Sequence, residues 1–146
     1  MSSYDSSTTS LKKPWQDPLL AHVSGFRTAI DNLSYEISAD TIRGKIPEEL
    51  SGIFLRNGPG RNELAGKPFG HWFDGDGCVH TFRIENGKVH YRSSFVKTPK
   101  YVDETAAQAI KYRSFGHNAP GGFFKNFHMP ANAANTSIVY HGGKLL

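Results

Sequence analysis

The chain has 146 residues, the length of a single domain, and carries a formal net charge of +4 at pH 7. Its Lys and Arg residues are spread along the sequence, which favours ordinary surface charge over nucleic-acid binding. The lone Cys78 rules out an internal disulfide and indicates a reducing compartment. We find no secretory signal and no apolar run long enough to span a bilayer.

The first residues are predicted to form a tail that precedes the folded part of the chain. Residues 1–14 begin with a run rich in Ser and Thr and poor in apolar side chains, so we expect disorder there. Residues 15–146 are expected to fold. Around residues 32–42 the pattern is weakly strand-like, and the side chains expected to be buried there are Tyr35, Ile37 and Ile42.

Three short elements are predicted between residues 46 and 70. Ile46–Leu50 is expected to form one helical turn, with proline at its first position. Ile53–Arg56 is expected to form a short apolar strand, which the run Asn57-Gly58-Pro59-Gly60 ends. Residues 61–70 are expected to form a polar loop.

The stretch His71-Trp72-Phe73-Asp74-Gly75-Asp76-Gly77 places two bulky aromatic residues directly before alternating Asp and Gly. We expect its glycines to adopt the positive φ values of a tight turn and its Asp side chains to bond the turn's own backbone. A strand from Val79 to Ile84 follows. Asn86-Gly87 is typical of a two-residue hairpin turn, and the partner strand is predicted from Val89 to about Thr98.

That turn fixes the register of the hairpin. It places Ile84 opposite Val89, Phe82 opposite Tyr91, and Glu85 opposite Lys88. The alternation of a strand then assigns seven residues to a mostly apolar face: His80, Phe82, Ile84, Val89, Tyr91, Ser93 and Phe95. It assigns four residues to the polar face: Arg83, His90, Arg92 and Ser94. A half-buried antiparallel pair has this pattern.

After the hairpin, the alanines of Glu104–Tyr112 predict a short helix, which the following Gly and Pro residues end. A strand is predicted over Thr136–Tyr140, with a turn at His141–Lys144 and the start of a partner strand at Leu145-Leu146. We therefore expect the chain to stop within a hairpin, with one strand edge left open.

Two candidate ligand motifs fail on their spacing. Counted from Asp74, a calcium loop would need Gly at the sixth position, where Val79 stands, and no helices flank it. A phosphate loop would need Ser or Thr after Gly66-Lys67, where Pro68 stands.

The seven His residues show no pair with local spacing typical of metal ligands, although ligands on strands can be distant in sequence. His80 is interpreted as a hydrogen-bonded core residue and His90 as a surface residue. Cys78 is interpreted as a small buried residue.

Four segments, taken in order, resemble the carotenoid cleavage oxygenases, and within that family the bacterial apocarotenoid oxygenases most. They are Ile46-Pro47-Glu48-Glu49-Leu50-Ser51-Gly52, Arg56-Asn57-Gly58-Pro59, His71-Trp72-Phe73-Asp74-Gly75-Asp76-Gly77 and Asn132-Ala133-Ala134-Asn135-Thr136. The second segment and Phe73-Asp74-Gly75-Asp76-Gly77 are expected to form a structural motif, and their separation is a specific signal. The similar order extends from about Trp15 to Leu146.

This resemblance implies an all-β fold with short helices, part of a seven-bladed β-propeller that is incomplete here. It implies an enzyme that cleaves a polyene double bond of a carotenoid or apocarotenoid with O2, using Fe(II) held by four His side chains. The chain covers roughly the first third of the family pattern, and its ligand positions fall after Leu146. We therefore assign no catalytic and no metal-binding residue to this chain, and expect it to be inactive alone.

A basic aromatic stretch is predicted to contact a membrane. It contains Phe115, Phe123, Phe124 and Phe127 with Arg113 and Lys125 beside them. Aromatic rings flanked by cations suit the bilayer interface, although packing under the propeller rim would explain the same residues. The resemblance favours docking around the mouth of a substrate tunnel, in a cytoplasmic, peripherally membrane-associated protein with no nucleic-acid partner.

Three hypotheses remain open from the sequence. The first is an N-terminal fragment of a carotenoid oxygenase. The second is a non-catalytic module that binds an apocarotenoid or a membrane surface. The third is an unrelated small β-protein.

Overall fold

A computed structural model describes residues 27–29, 31–127 and 129–146. The predicted tail, residues 1–14, lies outside the described residues, so its disorder and the boundary at residue 15 stay predictions. The regular secondary structure of the described part is mostly strand, with one α-helix and three short 3-10 helices.

A four-stranded antiparallel sheet forms the centre of the fold, in the order β1-β6-β5-β2. Its strands are β1 (Ser34–Glu36), β2 (Gly52–Arg61), β5 (Asp76–Glu85) and β6 (Lys88–Phe95). Two small hairpins accompany it: β3 (Glu63–Leu64) with β4 (Lys67–Pro68), and β7 (Tyr140–His141) with β8 (Lys144–Leu145). The helix α1 (Pro99–Ala107) follows β6, and 3-10 helices span Ala39–Thr41, Trp72–Asp74 and Phe123–Asn126.

The central hairpin of β5 and β6 has the predicted register. Ile84 pairs with Val89, Phe82 with Tyr91 and Glu85 with Lys88. Asn86 and Gly87 have φ values of 51° and 72°, the positive values that this two-residue turn requires.

The prediction that β2 ends at Arg56 is wrong. The strand continues to Arg61, and Asn57, Gly58 and Pro59 pair with Val79, Cys78 and Gly77. Proline is accepted in edge strands and beside bulges. Strand β2 is an edge strand of the described sheet, and its register shifts between Pro59 and Arg61.

Four further predictions need correction. Residues 61–70 form the β3–β4 hairpin rather than a polar loop, with positive φ at Ala65 and Gly66 in its turn. The helix begins at Pro99, not Glu104, because Thr98 caps it by accepting a hydrogen bond from the Tyr101 N–H. It ends at Ala107, before Gln108 in the left-handed conformation.

Two further segments are less regular than the sequence predicts. Ile46–Leu50 holds one hydrogen-bonded turn, from the Leu50 N–H to the Pro47 carbonyl, and no helix. The strand predicted at Thr136–Tyr140 is limited to Tyr140–His141, although the turn after it and its pairing with residues 144–146 are confirmed.

A row of aromatic side chains crosses all four strands on the predicted apolar face. The rings of Phe54, Phe82, Tyr91 and Tyr35 follow one another at centroid distances of 6.0, 5.1 and 5.2 Å. The two rings at its ends, Phe54 and Tyr35, are 59% and 49% exposed, so the expected burial of Tyr35 is wrong within the described residues. Ile37 and Ile42 are half-buried.

The core of the described part is small. Its buried apolar residues are Leu64, Cys78, Phe95 and Ala119. Cys78 and Phe95 face each other across β5 and β6 beside Gly60 at the bulged end of β2, and this end of the sheet also carries the motif residues described next. A Cβ on Gly60 would overlap Cys78 there, so this close approach requires glycine.

Candidate functional site

Three of the four segments that carry the resemblance lock together at one end of the sheet. The Asn57 side-chain amide donates to the carbonyl oxygens of Ala134 (2.9 Å) and Ser137 (3.0 Å), and its oxygen accepts from the Gly58 N–H. The Asn135 side chain donates to the carbonyls of Phe73 (2.9 Å) and Gly75 (2.6 Å). Two asparagines therefore tie three distant segments together through backbone groups.

Glycine is needed in this junction because neighbouring atoms leave no room for a side chain, and not because the backbone has a positive φ. The prediction of positive φ at Gly75 is wrong, since its φ is −60°, and Gly77 is likewise absent from the positive-φ glycines. The Gly77 N–H donates to the Ala133 carbonyl at 2.8 Å, and a Cβ on Gly77 would overlap the Ala134 carbonyl oxygen.

Asp74 is fully buried and accepts hydrogen bonds from three backbone N–H groups. One belongs to His71, as predicted for a local turn, at 3.0 Å. The other two belong to Phe115 (2.8 Å) and Gly116 (3.0 Å), and the His117 Nδ1 lies 3.3 Å from the same carboxylate. Asp74 thus fixes the loop that carries the exposed Phe115 ring.

Asp76 belongs to a buried cluster of four charged side chains that the sequence did not predict. Its carboxylate accepts from Arg61 Nε (2.6 Å) and Lys100 Nζ (2.9 Å), and Lys100 also lies 3.0 Å from Glu104. Two positive and two negative charges balance, as buried ions require. The sequence carries one signal for this cluster: Lys100 and Glu104 are spaced i and i+4 after a Thr-Pro helix start, which favours an ion pair on a helix.

The cluster fixes the chain that leaves α1. Glu104 Oε1 accepts from the backbone N–H groups of Lys111 (3.0 Å) and Tyr112 (3.1 Å). Arg61 lies over the Tyr101 ring at 4.4 Å and donates to Thr105 at 2.6 Å. These contacts place residues 111–113 beside the aromatic stretch.

The four phenylalanines of the predicted docking stretch are highly exposed in the described part of the chain. Phe115, Phe123, Phe124 and Phe127 are 73%, 75%, 87% and 76% exposed, and Met129 is 88% exposed. The rings of Phe124 and Phe127 each lie 6.0 Å from the Phe123 ring. We call these five residues the aromatic patch.

The two cations predicted beside this patch differ in their surroundings. Lys125 is exposed, and its stem lies over Gly121, whose φ is +116°. Arg113 is half-buried and donates from Nη1 to the Asn126 carbonyl at 2.7 Å. Asn126 in turn accepts from the Ala119 N–H and donates to the Gly122 carbonyl, which holds the short 3-10 helix in place. That the patch docks on a membrane stays a prediction.

His80 is the titratable residue on the aromatic face of the sheet. Its Nδ1 lies 2.7 Å from the Tyr91 hydroxyl, which confirms the predicted hydrogen bond, but His80 is half-buried beside an open cavity, so its interpretation as a core residue is wrong. Desolvation, together with the nearby Arg56 guanidinium, lowers the pKa of His80. Phe54, Arg56, Trp72 and His80 line an open cavity of about 720 Å³ there.

The other predicted interpretations of single residues hold. His90 is exposed and lies 3.0 Å from the Ser34 hydroxyl. Cys78 is fully buried, and burial raises the pKa of its thiol. Among the described residues no group of three or more His, Cys, Asp or Glu side chains could hold a metal ion. No helix in this part of the chain is long and apolar enough to cross a membrane.

The interlocked motifs and the strand-rich fold define a class of protein. Residues 26–146 match the family described as retinal pigment epithelial membrane protein, so the chain belongs to that family, that of the carotenoid cleavage oxygenases. It is 42% identical over 111 residues to the apocarotenoid-15,15'-oxygenase of Synechocystis sp., which covers 73% of this chain and 23% of the relative. It is 35% identical over 121 residues to the carotenoid 9,10(9',10')-cleavage dioxygenase of Crocus sativus, covering 72% of this chain and 22% of the relative.

Solved structures show the same relationship. The cobalt-substituted Synechocystis apocarotenoid oxygenase matches with a TM-score of 0.74 and 38% identity, over 84% of this chain and 26% of that structure. A chimera of that oxygenase with another family member matches with the same values. The chain thus spans about a quarter of the length of these relatives.

Proposed function

We propose that the chain is the N-terminal part of a non-haem Fe(II) oxygenase that cleaves a double bond of a carotenoid or apocarotenoid with O2, giving aldehydes or ketones. The observation that carries the proposal is the family match over residues 26–146, within which the locked motif segments lie. The 42% identity to an apocarotenoid oxygenase favours an apocarotenoid substrate.

The described residues do not fit an iron site, so no step of the reaction is derived through the metal. Three described histidines each contact separate residues rather than one another: His80 lies beside Tyr91, His90 beside Ser34, and His117 beside Ser114 and Asp74. We propose that the iron ligands belong to the rest of the complete enzyme, as the family resemblance implies. This chain alone is then inactive, and its strands form part of an incomplete propeller.

In the complete enzyme, the role of this chain is to hold the aromatic patch in place at the protein surface. Asp74 holds the loop of Phe115, and Arg113 and Asn126 hold the 3-10 helix of the aromatic patch. Carotenoids partition into membranes, so an enzyme that extracts them gains by docking there. We therefore propose a cytoplasmic, peripherally membrane-associated enzyme whose patch surrounds the substrate entrance.

The activity proposal is tested by loading the purified chain with Fe(II) without oxygen, then adding O2 and an apocarotenal. We expect far less than one iron per chain by elemental analysis and no cleavage product by chromatography. In the same assay, a protein extended to the family's length should bind one iron per chain and form the cleavage product. If the chain held one tightly bound iron that the His80→Ala variant lost, the proposal that the iron ligands lie outside this chain would be wrong.

A second candidate function is a non-catalytic module that binds an apocarotenoid or a membrane surface. The exposed aromatic patch favours it, because such a surface acts without any chemistry. The nucleotide sequence after codon 146 separates the two candidates. An in-frame continuation with His-bearing strands supports the oxygenase, whereas a stop codon and a stable, soluble product support the module.

A further inference from the structure

The open cavity on the aromatic face of the sheet contains an arginine and no carboxylate. Arg56 stands opposite His80 in the pairing of β2 with β5, on the face that carries the Phe54 ring. The rest of the lining consists of aromatic rings, proline, glycine and side-chain amides, and none of it is Asp or Glu. The cavity, of about 720 Å³, therefore presents a positive charge surrounded by apolar surface.

Arg56 differs from the other arginines of the sheet that have acidic partners. Arg61, on the same strand, is buried and pairs with Asp76 at 2.6 Å. Arg83, on β5, is exposed and pairs with Glu85. Arg56 is exposed, and within the described part of the chain no hydrogen bond or ion pair involves its guanidinium group. Its charge is thus available to a partner that approaches the aromatic face.

The surroundings of Arg56 indicate that another part of the protein covers this face. Phe54, Trp72 and Tyr35 are 59%, 52% and 49% exposed, and exposed apolar surface of this kind marks an interaction surface. The chain spans about a quarter of the length of its relatives. In a complete protein of that length, most of the polypeptide is available to cover the face.

Covering the face takes Arg56 out of water. A guanidinium group does not lose its proton in proteins, so it enters the interface charged. A buried charge is very costly unless it is paired and hydrogen-bonded. Because the cavity has no carboxylate of its own, the negative charge has to come from the segment that covers it.

We propose that a segment after residue 146 of the complete enzyme inserts an Asp or Glu side chain, flanked by apolar residues, into this cavity as the ion-pair partner of Arg56. The inference rests on the proposed function, because it requires the complete enzyme. A guanidinium group can donate two parallel hydrogen bonds to one carboxylate. A small soluble carboxylate would also pair with Arg56, but it would leave the rings of Phe54 and Trp72 uncovered, which is why we assign a protein segment.

The test is urea unfolding of the complete enzyme at neutral pH with Arg56→Met, which keeps an apolar stem and removes the charge. We expect the folding equilibrium constant to fall by about a hundredfold or more, the usual effect of leaving one member of a buried ion pair alone. Arg56→Lys, which keeps the charge, should lose much less. If Arg56→Lys lost as much as Arg56→Met, the role of Arg56 would be one of shape, and the ion pair would be wrong.

The matched control is Arg43→Met, which removes an exposed arginine from the segment between β1 and β2. It should change the folding equilibrium constant by no more than about twofold, as surface substitutions do. An effect of Arg56→Met as small as that of the control would overturn the proposal.

A second measurement distinguishes a carboxylate from a neutral partner such as a backbone carbonyl. Of the lining residues, His80 on β5 is the only histidine and none is Lys, so the measurement is made in the His80→Gln background. A buried carboxylate without its arginine binds a proton more tightly in the folded than in the unfolded state. The stability lost on adding Arg56→Met should therefore shrink as pH falls from about 8 to about 5. A constant loss over this range would show a neutral partner and overturn the carboxylate.

The position of the carboxylate in the chain is tested separately. Asp5 and Asp17 are the acidic residues that precede the described part of the chain. Asp5→Asn/Asp17→Asn should leave the folding equilibrium constant of the complete enzyme within about twofold. If this variant reproduced the loss caused by Arg56→Met, the partner would precede residue 27 and the assignment to a later segment would be wrong. The proposed function fails by a different result: a complete protein, without substitutions, that binds no iron and forms no cleavage product.

Discussion

Gly77 lies so close to the backbone of Ala134 that a single methyl group would overlap its carbonyl oxygen. We predict that Gly77→Ala destabilises the complete protein by about 1–3 kcal/mol, the usual cost of overpacking a tight site. Gly58→Ala is the matched control, since a Cβ at Gly58 meets nothing within 4 Å. Thermal unfolding measures both, and equal melting temperatures for the two variants would contradict the close approach.

His80 makes stability depend on pH in a defined direction. Desolvation and the Arg56 charge lower its pKa in the folded state below the usual 6.5, so the unfolded chain binds the proton more strongly. We predict that stability falls as pH drops through about 6.5 and stops falling, for this residue, below the folded pKa.

Urea unfolding of the complete protein from about pH 8 to about pH 5 tests this prediction. His80→Gln should reduce the fall in stability, because it removes the titrating group and keeps a polar partner for Tyr91. His90→Gln, at an exposed position on the other face, should leave the fall unchanged. If His90→Gln reduced the fall in stability and His80→Gln did not, the fall could not be assigned to His80.

At the scale of elements, the β5–β6 hairpin depends on its two-residue turn. Gly87 has a φ of 72°, which a β-branched residue adopts only with strain. We predict that Gly87→Val destabilises the complete protein by about 1–3 kcal/mol. Gly87→Asn should cost much less, since Asn accepts the left-handed region. An unchanged melting temperature in the valine variant would contradict the observed turn.

Sequence alone predicted the elements whose signal is local. Asn86-Gly87 gave the hairpin and its register because a two-residue turn leaves one pairing. The extent of β2 was missed because proline and glycine indicate a break locally, whereas pairing with β5 carries the strand through them. The alanine content predicts a helix start at Glu104, whereas the Thr98-Pro99 cap begins the helix at Pro99.

The candidate site also contains parts with a local sequence signal and parts that only long-range contacts create. The four phenylalanines of the patch and the nearby cations are visible in the sequence itself, and the family resemblance favoured docking over packing under the propeller rim. The cluster of Arg61, Asp76, Lys100 and Glu104 was not predicted, because 43 positions separate Arg61 from Glu104 and only the fold brings them together. A long-range contact of this kind leaves little trace in one sequence.

At the scale of the whole molecule, the described part exposes more large apolar side chains than it buries. Its buried apolar residues number four, whereas sixteen large ones are exposed, among them Ile53, Phe54 and Leu146. Exposed apolar faces of this extent indicate interaction surfaces. The chain spans about a quarter of its relatives' length. We propose that other parts of the complete protein cover both faces of the sheet at β2, where Ile53 and Phe54 lie on opposite sides.

The aromatic patch and strand β2 should therefore respond differently to the same kind of substitution in the complete enzyme. Phe123 and Phe124 lie on an exposed 3-10 helix, whereas Ile53 and Phe54 lie on β2 within the sheet. We predict that Phe123→Ser/Phe124→Ser weakens liposome binding and spares the melting temperature. Ile53→Ser/Phe54→Ser should lower the melting temperature, because it removes side chains that the rest of the protein covers. Flotation with vesicles and thermal unfolding measure the two effects. If the patch variant unfolds while its liposome binding stays intact, these phenylalanines belong to the core and the docking surface lies elsewhere.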